Sequence, residues 1–80
     1  MKIRLLAFGI AKDILDARSM SFELNQGNTI AALKTALMLQ YPPFEKLVSL
    51  TFAVNESYVP DDHLLQEDDE VVLIPPVSGG

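Results

Sequence analysis

The sequence contains no cysteine and no tryptophan, and only one histidine, His63. Without thiols it can form neither a disulfide nor a thiolate metal site, and a lone imidazole leaves carboxylates to complete any other metal site. Glycine is scarce too. Only four are present, and Gly9 and Gly27 stand alone, so there is no glycine-rich loop to cradle a phosphate. No apolar run approaches the roughly 18 residues of a membrane span, and the first twenty residues lack the basic-then-apolar pattern of a secretory signal. Basic side chains are outnumbered, six against eleven, for a formal charge of −5. That balance argues against nucleic acid or an anionic membrane as partner and favours a basic protein. The expected location is cytoplasmic.

What is present is apolar residues, 49% of the chain, which is too many for a disordered segment. Eighty residues make one domain and not two. A core of this size supplies about 3–5 kcal/mol, and small scaffolds usually add disulfides, a metal or a partner. With the first two excluded, a partner is the remaining stabiliser.

Residues 2–8, KIRLLAF, alternate charged and apolar side chains and then turn wholly apolar, as in a strand that begins exposed and ends between neighbours. IAKDILDA reads as a short amphipathic turn or helix. In residues 19–24, Met20, Phe22 and Leu24 alternate with Ser21 and Glu23, which predicts a second strand paired with the first. In the turn at 25–28, Gly27 supplies a positive φ, and Asn28 or Thr29 can cap the helix that follows. Ile30, Leu33, Leu37 and Tyr41 form one stripe at helical spacing, with Met38 beside them, and Pro42 and Pro43 end the run. Leu50, Phe52 and Val54 share a face of a third strand, a turn at Asn55 and Glu56 follows, and a short strand passes through Tyr58 and Val59. Leu64 and Leu65 are expected under the sheet. The β-branched run EVVLIP predicts a central strand buried on both faces.

This order places one main helix across a mixed sheet whose first and last strands lie parallel. The fold class is α+β, a ubiquitin-like β-grasp, with residues 1–76 as the domain and 77–80 as a flexible Gly-Gly tail.

Candidates for chemistry inside the domain are poor. His63 follows Asp61 and Asp62, but a histidine with no nucleophile is not a catalytic site, and it reads as an exposed turn residue. Glu67, Asp68, Asp69 and Glu70 lack the alternating ligand spacing and glycine pivot of a calcium loop, so they read as a solvated acidic face. No metal site and no bound cofactor are expected. The ending PPVSGG is more suggestive. Two glycines end a chain by chance in about 0.5% of cases, so the pair alone is only a hint. An α-carboxylate, with a pKa of about 3.3–3.7, is ionised and inert until another enzyme activates it. Six extended residues reach about 20 Å, two glycines pass a narrow channel, and two prolines hold the segment away from the domain.

The stretches LLAFGIAKDIL and AVNESYVPDDHLLQEDDEVVLIPPVSGG, with the helix between them, give the sequence its resemblance to the small subunits of molybdopterin synthase. These are the ubiquitin-like sulfur carriers of molybdenum-cofactor biosynthesis. The resemblance spans essentially the whole chain. The string DEVVLIPPVSGG is specific to the group, whereas a bare Gly-Gly is shared by all ubiquitin-like carriers. It implies that an E1-like enzyme uses ATP to adenylate Gly80, that a sulfur donor protein converts it to a thiocarboxylate, and that the tail enters the large synthase subunit. Sulfur then passes to cyclic pyranopterin monophosphate, with the catalytic residues in the large subunit and an assembly of two small and two large chains. In this chain Gly80 would carry the sulfur and Gly79 would let the tail thread. Pro75, Pro76, Val77 and Ser78 would line the channel, and Phe8 and Ile74 would belong to an apolar docking patch. Relatives often place an aromatic where Ile74 stands. Two alternatives stay open. One is a carrier for thiamine or tRNA thiolation or for ubiquitin-like conjugation; the other is a β-grasp binding module with an incidental tail.

Overall fold

The computed structural model describes residues 1–47 and 50–75. In chain order its elements are β1 (Lys2–Ala7), α1 (Gly9–Leu15), β2 (Ser19–Glu23), α2 (Ile30–Gln40), a 3-10 turn (Pro42–Lys46), β3 (Thr51–Val54), β4 (Ser57–Tyr58) and β5 (Glu70–Ile74). The five strands form one sheet in the order β2-β1-β5-β3-β4. Only the central pair, β1 with β5, is parallel; the other neighbours are antiparallel. This is the expected β-grasp.

Strand parity decides what is buried. In β1, Ile3, Leu5 and Ala7 point into the core, joined by Phe22 from β2, Phe52 and Val54 from β3, and Val71 and Leu73 from β5. Ala11 and Leu15 of α1 and Ile30, Leu33 and Leu37 of α2 close the same cluster. Each fully buried leucine or isoleucine contributes about 1.5–3 kcal/mol relative to exposure.

Local chemistry sets the ends of α2. Thr29 is the cap, its Oγ1 accepting a 3.1 Å hydrogen bond from the Ala32 amide. Gly27, at φ +86°, leaves only 2.9 Å between a would-be Cβ and the Ala32 Cβ, so no other residue fits without a shift. Pro42 and Pro43 end the α-helix, and the chain continues as the 3-10 turn that buries Phe44. Asn55 and Glu56, at φ 48° and 76°, make the tight β3–β4 turn.

Two expectations need correction. Leu64 is 61% exposed, and only Leu65 is buried. The segment is extended here, bridged to Thr29 and held by Leu65 N–H donating to Asn28 O at 2.6 Å, so successive side chains point to opposite sides. β5 is central but not buried on both faces, because Val72 and Ile74 lie on a side that no helix covers. Met38, expected beside the buried stripe of α2, is 40% exposed there.

Two substitutions separate packing from capping. Leu33→Ala should cost about 2–5 kcal/mol, comparable to the stability a scaffold of this size holds, and should abolish the cooperative urea transition followed by circular dichroism. Thr29→Ala should cost about 1 kcal/mol and lower the urea midpoint at unchanged slope.

Candidate functional site

The parallel pairing of β1 and β5 fixes where the chain leaves the sheet. Leu6 lies opposite Val72 and Ala7 opposite Leu73, so the C-terminal end of β5 emerges beside the end of β1. Pro75 stands against Gly9: a methyl group at Gly9 would lie 3.4 Å from Pro75 Cγ, and Gly9 holds φ +56°. Phe8 and Ile10 flank this glycine and are 53% and 51% exposed. They are apolar side chains in water at the point where the last segment departs.

The registers also define the face of the sheet opposite the helices. Leu6, Val72, Ala53 and Tyr58 lie side by side across β1, β5, β3 and β4. Ile74 stands one step further along, opposite Thr51. Ala53 is buried yet lies outside the core cluster, as its position on this other face requires. Arg4 opposite Glu70 marks the polar limit of the apolar row. The surface therefore joins Leu6, Val72, Ile74 and Tyr58 to Phe8 at the exit point.

Phe8 and Ile74 are thus outside the core, and Ile74 is half-buried. Pro75 is at the exit. Pro76, Val77, Ser78, Gly79 and Gly80, and with them the boundary between domain and tail, lie outside the described residues. Sequence reasoning missed Leu6, Val72, Tyr58 and Ile10. The signal for the first two was parity, since each alternates with the buried residues of its strand.

Three of the acidic residues between 61 and 70 have structural partners for their side chains. Asp69 accepts hydrogen bonds from the Gln66 amide at 2.8 Å and from Asn55 Nδ2 at 3.2 Å, which ties the loop before β5 to the β3–β4 turn. Glu67 accepts from the Lys2 amide at 3.3 Å, and Asp61 pairs with Lys34 at 2.7 Å. His63 is half-buried and not the exposed residue expected. Its carbonyl accepts from the Ile30 amide and its amide donates to Pro60 O, so its backbone braces the start of α2. Among the described residues no cluster of three or more histidine or carboxylate groups is placed to hold a metal. Nor, among them, is any helix long and apolar enough to cross a membrane.

Known proteins share both the sequence and this architecture. The ThiS family model matches residues 5–80. Two curated relatives, each a molybdopterin synthase sulfur carrier subunit, are 31% identical over the whole of this chain. The Arabidopsis thaliana protein is covered over 84% of its length and the Chlamydomonas reinhardtii protein over 100%. Among solved structures, a putative molybdopterin converting factor subunit 1 from Pyrococcus furiosus superposes with a TM-score of 0.86 at 23% identity. The match covers 96% of this chain and 99% of that one. A complex of subunits 1 and 2 of molybdopterin-converting factor from Helicobacter pylori matches with a TM-score of 0.66 at 21% identity, covering 100% of both chains. With a match running from β1 to the final glycine, the chain belongs to the ThiS family of ubiquitin-like sulfur carriers.

Proposed function

We propose that this chain is the sulfur carrier subunit of a molybdopterin synthase and has no catalytic site of its own. The observation that carries the reading is full-length identity of 31% to two curated subunits of that name. In the proposed cycle the Gly80 carboxylate attacks the α-phosphate of ATP on an E1-like enzyme, giving an acyl-adenylate and releasing pyrophosphate. Hydrosulfide delivered by a donor protein then attacks the acyl carbonyl, releases AMP and leaves a thiocarboxylate. The loaded tail enters the large subunit, which supplies the catalytic groups, and sulfur passes to cyclic pyranopterin monophosphate. Return of the carboxylate closes the cycle.

The domain's part in this is placement. Its last strand delivers Pro75 to the exit beside Gly9, and Phe8, Ile74 and the apolar row around Val72 provide an uncharged surface for the large subunit. Desolvating such a patch strengthens binding without involving the tail, so docking and threading add to each other. Pro76, Val77 and Ser78 would then line the channel, and Gly79 would permit threading.

Two experiments test this reading. Incubation with the host's activating enzyme, ATP and a sulfur source should change the intact mass by replacement of one oxygen with sulfur, and the change should vanish on deletion of Gly80. Unmodified mass with a competent activating enzyme defeats the proposal, while higher-mass lysine conjugates in cell extracts identify a conjugating carrier instead. Phe8→Ser should leave the melting temperature near that of the parent, because the side chain is half exposed. It should weaken the complex with the large subunit by on the order of 1–2 kcal/mol in calorimetry; equal affinity removes Phe8 from the interface.

A further inference from the structure

The tail is short for what it has to do. Five residues follow Pro75, and fully extended they carry the terminal carboxyl about 17 Å from it. A protein that encloses that carboxyl in a water-excluded site has to bring its surface up to the exit, so the mouth of its channel closes around Pro75. Whatever stands beside Pro75 on this chain then lies beneath the rim.

Two unlike flanks stand there. Pro75 rests on Gly9, where a methyl group would lie 3.4 Å from its Cγ, so the departing chain crosses the junction of β1 and α1 between Phe8 and Ile10. Phe8 is extended, at φ −131° and ψ 159°, and follows the core-facing Ala7, which puts it with Leu6, Val72 and Ile74 on the uncovered face. Ile10 belongs to the other side. It is the second residue of α1, the helix that joins the core through Ala11 and Leu15, yet its own side chain is 51% exposed. The charged residues of α1 are Lys12 and Asp13, one of each sign, so no net charge on the helix opposes desolvation of Ile10.

We propose that Ile10 is a second docking point, on the helical side of the exit, covered by the channel rim of the large subunit when the tail is threaded. This role rests on the carrier reading, since only a threaded tail calls for a rim. The uncovered face supplies one half of an apolar collar around Pro75, and the first turn of α1 supplies the other. Gly9 keeps the collar open, because a side chain there would stand against the departing proline. Phe8 joins the two halves, so the surface is continuous with the face already assigned to the large subunit. The matching rim is apolar, and its contact with Ile10 keeps water out of the channel mouth.

Ile10→Glu tests this without altering the uncovered face. Glutamate is a good helix former and suits a first helical turn, so the melting temperature should stay near that of the parent. Affinity of the full-length chain for the large subunit, read by calorimetry, should fall by about tenfold. Leu39→Glu, at a more exposed apolar position on α2, should leave that affinity unchanged, and Ile10→Val should keep most of it. If the parent binds and Ile10→Glu binds equally well, the second docking point is overturned while the carrier reading stands. Absence of any complex with the parent chain overturns both. Slower thiocarboxylate formation in Ile10→Glu, with unchanged affinity for the large subunit, overturns the proposal too and gives Ile10 to the activating enzyme.

Discussion

The parallel pairing of β1 with β5 is the constraint on which the rest of the molecule depends. Parallel neighbours cannot be joined by a tight turn, so the chain between them must supply a crossover. Here that chain contains α1, β2, α2, the 3-10 turn, β3 and β4, the whole remainder of the fold. Because β5 lies between β1 and β3, its backbone is held on both sides, and its last residues leave from the middle of the sheet rather than from an edge. A one-residue slip of β5 against β1 would turn Val71 and Leu73 out of the core and bring Val72 and Ile74 into it. Burial of Val71 and Leu73 therefore fixes which residues face outward at the exit, and a hydrophobic constraint becomes a positional one.

The same pairing explains why the acidic residues are where they are. The loop that returns the chain to β5 has to be closed without a hydrophobic anchor of its own beyond Leu65. Asp69 closes it by receiving the Gln66 amide, while Asn55 reaches across from the β3–β4 turn to Asp69 and to the Glu70 amide. Negative charge accumulates there because carboxylates are effective acceptors for loop amides. The surplus charge of the chain is in part a by-product of turn closure.

Much of this was legible because parity and helical spacing are local. The alternation of Met20, Phe22 and Leu24, the stripe of Ile30, Leu33 and Leu37, and the cap at Thr29 each involve residues within one element, and the structure keeps them. What was not legible depended on neighbours. The run EVVLIP reads as buried on both sides because its residues are uniformly apolar, yet the helices cover one face only. Leu64 and Leu65 are indistinguishable as types, and a single backbone bridge to Thr29 decides which of them is buried. An edge strand carries no mark in its own sequence, so the exposure of β2 could emerge only from the strand order.

In the proposed cycle the carrier is recognised in turn by an activating enzyme and by the large subunit, each of which needs access to the same terminal residues. Those partners cannot all be distinguished at the tail, where the glycines offer almost no side-chain information. In that cycle recognition has to come from surfaces whose geometry is fixed relative to the exit, and the uncovered face of the sheet is one. The uncovered face around Val72 lies next to the exit, and Ile74 continues it to the point where the chain leaves the sheet. The ladder that carries this face also carries β5, so the distance between the face and the exit is set by strand pairing and not by any loop.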